Sequence, residues 1–214
     1  MIKTLTFSTI TILMTLCLTH CSVLGIRTGE QASYRSIHDQ GSFQIRQYSN
    51  YLSAETVVSS QDWDEASTTG FRRLAGYIFG KNKQKQDIAM TSPVLISPTV
   101  DTSQKIDMTS PVFAEKTAMG WKMSFVLPQK LNINNAPAPL DNEVTLRERT
   151  GKKFATVRFS GVLSDNKFSQ YSEKLRSWMQ EEKLQAISKP LLAGYDPPWT
   201  LPFLRRNEVL IEIN

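Results

Sequence analysis

Methionine, serine and proline recur together twice, as IAMTSPV at 88–94 and as IDMTSPV at 106–112. Read as strands, each places one alternating set of side chains on a shared face: Ile88, Met90, Ser92 and Val94 in the first, Ile106, Met108, Ser110 and Val112 in the second. The short loop between them makes the two antiparallel neighbours. Pro93 and Pro111 cannot donate to a ladder, which sets each at an edge, a bulge or a bend and curls the strands there. The chemistry on offer is adaptive binding: polarizable thioethers on a concave surface suit a flat apolar guest, and the same spacing equally fits core filling.

Groups suited to catalysis or metal binding are scarce. Two histidines are present, and His20 falls in an apolar N-terminal stretch, so His38 is the one imidazole beyond it. Imidazole is a common metal ligand, which makes His38 the candidate metal ligand; a solvated side chain is the plain alternative. No Ser/His/Asp set, His-rich metal pattern or Gly-rich phosphate loop after a strand is present. Glu55 and Glu148 lie in strand patterns, where entry into a pocket and simple solvent-facing alternation are both open. With 40% apolar residues the 214-residue chain buries a real core. The net charge of +5 comes from scattered basic residues, with one loop-like cluster at Lys81 to Lys85, and no nucleic-acid partner is expected.

Lys3 precedes an apolar run from Leu5 to Leu18, and residues 1–20 read as a secretory signal peptide. Both cysteines, Cys17 and Cys21, fall in or just after it, so the fold beyond cannot depend on disulfides. LTHC, Leu18 to Cys21, resembles the lipobox of bacterial lipoproteins, in which Cys21 becomes the lipidated first residue. His20 stands where Gly, Ala or Ser is usual, which leaves ordinary cleavage and retention as an anchor open. The expectation is an exported, periplasmic or cell-envelope protein held at the membrane through a lipidated N-terminus, with a polar tether at 21–41 and a domain at 42–214.

The elements that position these residues show a repeat. FQIRQY and YLSAETVVS alternate apolar and polar around Ser49–Asn50 and predict a hairpin. Trp63, Ser67, Phe71, Leu74 and Ile78 fall on one face of a helix opened by Asp62 and Asp64 and ended by Gly80. Shifted by 101 residues without a gap, FQIRQYSNYLSAETVV lies over VTLRERTGKKFATVRF, with Ile45 on Leu146, Ala54 on Ala155 and Asn50 on Gly151. A second helix, Lys167 to Lys183, turns Phe168, Tyr171, Leu175 and Met179 inward. Strands follow each helix. The reading is a duplicated ββαββ unit, of α+β class with an antiparallel sheet.

IAMTSPV, GWKMSFVLP, the P-x-P-x-D run from Pro137 to Asp141, VTLRE, FATVRFSG and GYDPPWTLPFLRRNEV together resemble the SOUL/heme-binding protein family over about Phe43 to Ile213. The resemblance implies a distorted antiparallel β-barrel flanked by two helices. It also implies a monomer that binds heme non-covalently, or a metal-free porphyrin, as carrier, buffer or sensor and without catalysis. By the family pattern the guest lies between the first helix and the loop near the C-terminus. On that helix Thr68, Arg72, Ala75 and Phe79, with Phe71 beside them, offer close approach, aromatic area and one guanidinium for a propionate. Thr68 stands where a family member has a basic residue, so Arg72 is a displaced substitute. Trp199 and Phe203 supply an opposite wall and Arg205 and Arg206 receive carboxylates; the plain alternative is that Pro197 and Pro198 fix a turn and Arg206 serves a structural ion pair. Related duplicated folds bind other amphipathic effectors, and a few are small hydrolases, which gives the alternative function.

Overall fold

The computed structural model describes residues 25, 27, 29–83 and 104–214. Cys21, the signal-like run and the first MTSPV segment lie outside the described residues. The strands are β1 (Tyr34–Gln40), β2 (Phe43–Tyr48), β3 (Tyr51–Val58), β4 (Asn82–Lys83), β5 (Val112–Thr117), β6 (Gly120–Val126), β7 (Ala138–Pro139), β8 (Thr145–Arg149), β9 (Lys153–Phe159), β10 (Leu191–Gly194) and β11 (Asn207–Ile213). The helices are α1 (Trp63–Ile78) and α2 (Asp165–Glu181). Among the described residues nine strands form one antiparallel sheet in the order β1-β2-β9-β11-β10-β5-β6-β3-β8, which curls without closing and has β1 and β8 at its ends. This is the expected α+β architecture, a half-barrel with two helices.

The duplication is visible in the register. Ala54 pairs with Leu146 in the β3–β8 ladder, and Ala155 with Ile45 in the β2–β9 ladder, so adding and subtracting 101 converts one ladder into the other. Ser53–Arg147 and Phe154–Arg46 obey the same rule. The predicted hairpins, however, do not form. β2 pairs with β9 and β3 with β8, so the two halves exchange strands. A two-residue hairpin loop needs left-handed residues, and neither Asn50 nor Gly151 adopts a positive φ. The two turns instead meet each other, the Gly151 amide donating to Asn50 Oδ1 at 2.7 Å. Glycine is needed at 151 for closeness, because a Cβ there would lie 2.3 Å from the Tyr48 carbonyl oxygen.

Two further expectations are corrected. Tyr34–Gln40, read as tether, is β1, paired with β2 at the sheet edge; solvent on most of its side chains removes the apolar alternation that would have marked it. The second MTSPV segment is not a strand with a Met-Ser face. The Ile106 amide donates to the Ile78 carbonyl and buries Ile106, while Met108 is 44% exposed and Thr109 is buried. Ser110 exchanges backbone hydrogen bonds with Glu30 and Ala32, and the ladder begins only at Val112.

Period-two alternation sorts the sheet into unlike faces. One face, with Leu52, Ala54, Met123, Phe125, Val157, Val209 and Ile211, packs under both helices, α1 over β3 and β6 and α2 over β9 and β11. Asp62 and Ser164 cap the helices by accepting from the Glu65 and Lys167 amides. Gly70 lets α1 sit directly on Met123. The opposite face mixes aromatic and charged residues, and a second, smaller core forms there around Tyr48, Phe113, Val126, Phe154, Tyr195 and Leu210. Residues 30–33 strap one end of this hollow, with Ala32 buried in it and Ser33 accepting from the Ser49 amide.

Candidate functional site

Helical periodicity that buries Ala66, Gly70, Leu74, Tyr77 and Ile78 turns Thr68 and Arg72 to solvent, with Ala75 half-buried among them, and Phe79 follows as the C-cap residue. Phe79 is 59% exposed. Phe71, 39% exposed, sits at the margin of the stripe with its ring edge-on to Phe125 at 5.4 Å. The adjacent arginines divide: Arg73 donates to the Val57 carbonyl at 3.0 Å and lies 3.6 Å from Glu143, whereas Arg72 has no ion pair or hydrogen bond among the described residues. A guanidinium in this position suits a carboxylate partner. Below Phe79, the buried Asn82 amide donates to Tyr77 and Gln104 carbonyls, both at 2.7 Å, and accepts from the Gln104 amide. Asn82 and Gln104 are thus held together at this end of the stripe.

The structure sets Thr68, Phe71, Arg72 and Ala75 along α1 with Phe79 at its C-cap, and it carries His38, Trp199 and Phe203 on other elements. His38 is exposed on β1, at the far edge of the sheet from β3 and β8, with its ring 6.3 Å from Trp178. Trp178 stacks on Phe43 at 5.1 Å, and the two line a shallow groove of about 400 Å³ beside α2. Trp199 and Phe203 are exposed on the β10–β11 loop. Neither they nor the α1 stripe line that groove or the cavity described next. Arg205 and Arg206 are engaged structurally: Arg205 donates to the Pro198 and Thr200 carbonyls, and Arg206 pairs with Glu208 at 2.8 Å.

Sequence reasoning missed the chemistry of the curled sheet's other face. Glu208 is fully buried there, chelated by Arg46 through contacts of 2.6 and 2.9 Å, and it accepts from Tyr195 Oη at 2.7 Å. Arg46 also lies over the Tyr34 ring at 4.4 Å. Burial would raise the Glu208 carboxyl's pKa, but the Arg46 hydrogen bonds and the Arg46 and Arg206 charges outweigh it and hold the group below the usual carboxylate range. The unstrapped end of the hollow is a cavity of about 420 Å³ whose lining includes Tyr51, Phe113, Phe154 and Leu191. Ion pairs ring it: Glu115 with Lys122, Lys152 with Glu212, and Arg149 with the buried Glu55, which also accepts from Ser53 Oγ at 2.8 Å. Burial pushes the Tyr51 hydroxyl up to about 12, so it remains a neutral donor. The signal lay in NEVLIEI, where glutamates interrupt a strand apolar enough to be covered on both sides.

The family model described as SOUL heme-binding protein matches residues 29–212. Heme-binding protein 2 of Homo sapiens is 32% identical over 176 residues, spanning 81% of this chain and 80% of that one. Heme-binding protein 1 of Xenopus tropicalis is 28% identical over 171 residues, with coverage of 80% and 83%. Among solved structures, a hydrolase from Listeria innocua superposes with a TM-score of 0.54 at 8% identity, over 83% of this chain and 94% of that one. The EcmrR C-terminal domain gives 0.51 at 9%, over 85% and 98%. These two likenesses show a shared fold. The matched span takes in β1, both helices and the strand exchange between the halves, and the chain belongs to the SOUL heme-binding protein family.

Proposed function

We propose that this protein binds heme, or a related metal-free tetrapyrrole, reversibly and non-covalently, and carries out no reaction on it. The observation that carries the reading is the stripe along α1 and its C-cap, where Phe71 and Phe79 remain exposed on either side of Ala75 and Arg72 has no partner among the described residues. The aromatic rings would contact the macrocycle, Ala75 would admit it closely, Thr68 would contribute a hydroxyl, and Arg72 would take a propionate. The names of the two heme-binding relatives support this guest class. The same reading makes the protein a monomer, exported and held at a cell-envelope membrane by lipidated Cys21.

Because His38 lies at the other edge of the sheet, binding at α1 gains nothing from imidazole ligation. Titration of the protein with hemin and with protoporphyrin, followed by absorption, should give affinities within about tenfold of each other, a difference under 1.4 kcal/mol. A much larger preference for the iron form overturns ligand-free binding, and no spectral change with either overturns the function.

A second reading rests on the cavity between Tyr51, Phe113 and Phe154, whose apolar lining and rim of ion pairs suit a smaller amphipathic guest. Binding that survives Arg72→Ala and is lost in Phe154→Ala would select it.

A further inference from the structure

The β10–β11 loop exposes three large apolar side chains within five residues: Trp199 at 63%, Leu201 at 39% and Phe203 at 70%. The loop is nevertheless held firmly. Thr200 is buried between them, and its carbonyl accepts from Arg205 Nε at 2.8 Å. The Arg206 amide donates to Asp196 at 2.6 Å, and the Gly161 amide donates to the Pro202 carbonyl at 2.8 Å. A rigid loop with an exposed Trp and Phe loses little conformational freedom on entering an apolar phase, and aromatic side chains favour the membrane–water boundary.

The path of the chain identifies that phase. Arg27 donates to Asp196 Oδ2 at 2.7 Å and to the Leu204 carbonyl at 3.1 Å. Gly25 lies so close to Leu204 that an added Cβ would be 3.2 Å from the Leu204 Cβ. The chain from the N-terminal apolar run therefore meets the folded domain at the base of this loop. Cys21 is four residues before Gly25, a reach of at most about 14 Å for extended backbone. We propose that the Pro197–Leu204 loop docks into the lipid bilayer beside the N-terminal attachment, Trp199, Leu201 and Phe203 entering the headgroup–acyl boundary. The inference rests on the membrane attachment proposed above.

Trp199 is itself the reporter, being the exposed one of the four tryptophans, with Trp121 and Trp178 buried and Trp63 partly so. The full chain, incorporated into vesicles of phosphatidylcholine and phosphatidylglycerol, is floated on a density gradient. Its emission is then compared in vesicles whose acyl chains are brominated or not. Bromolipid quenching is expected in the wild type and should largely vanish in Trp199→Phe, which floats equally well. Leu201→Ser with Phe203→Ser should reduce the quenching of Trp199. If the protein floats but Trp199→Phe is quenched like the wild type, the attachment stands and the docking loop is refuted. Failure to float removes both. A loss of heme affinity of about tenfold in Trp199→Phe would assign the loop to the tetrapyrrole and overturn docking.

Discussion

Glu208→Ala is expected to destabilise the fold by about 3–5 kcal/mol, because it leaves the buried Arg46 guanidinium without its counter-charge. Arg46 and Glu208 side chains are 3% and 0% exposed, so water cannot replace the lost carboxylate. Arg206 and Tyr195 lose the same partner. For a domain of this size the corresponding fall in melting temperature is about 10 °C. The pH dependence has a definite sign. Burial opposes the charged form of Glu208, but its bonds to Arg46, the Arg46 and Arg206 charges and the Tyr195 hydroxyl prevail and lower its pKa from 4.5. Its contribution is therefore complete above the unfolded-state value and lost as pH falls through the lower folded-state value. Thermal melts between pH 7 and pH 3 should show this acid loss in the wild type, and Glu208→Gln, which cannot titrate, should lack that component. A melting temperature in Glu208→Ala within a degree or two of wild type would contradict the network's role.

Trp121→Ala is expected to cost about 3–5 kcal/mol, the range for removing a large buried aromatic. Trp121 is fully buried where β6 meets both helices, its ring 4.8 Å from Trp63 and 5.7 Å from Phe168. It thus ties the start of α1 to the start of α2, one from each half of the repeat. Its indole Nε1 is buried with no hydrogen-bond partner among the described residues. Trp121→Phe deletes that uncompensated donor along with some packing, and should cost less than about 1.5 kcal/mol. Urea unfolding of both variants separates the cases; equal losses would mean that the indole nitrogen, not the aromatic volume, is what the site requires.

The duplicated architecture was legible because the repeat preserves core positions at a fixed offset, and Ala54 and Ala155 remain equivalent in the ladders. Partner choice was not. FQIRQY and YLSAETVV carry the pattern of a hairpin whether β2 pairs with β3 or with β9; the exchange is settled by contacts about a hundred residues apart in the chain. β1 was hidden by its exposure. The concave face was hidden by the same alternation that marks strands, which left pocket entry and solvent exposure both open for Glu55 until the curl of the sheet encloses it. Along α1 the spacing sufficed to align Thr68, Arg72, Ala75 and Phe79. It could not show that Arg73, one residue on, is already engaged by the Val57 carbonyl and Glu143. Nor could it place His38 at the distant edge of the sheet.

The most direct measurement is equilibrium titration of hemin into the wild type, the Arg72→Ala/Phe79→Ala double variant and Phe154→Ala, each confirmed as folded by its melt. Loss of one charge-assisted contact worth about 1.5–3 kcal/mol, with part of the aromatic contact, should weaken the double variant by more than about tenfold. Phe154→Ala, on the opposite face of the sheet, should bind as the wild type does. Wild-type affinity in the double variant, or a loss confined to Phe154→Ala, would contradict binding on the outer face of α1.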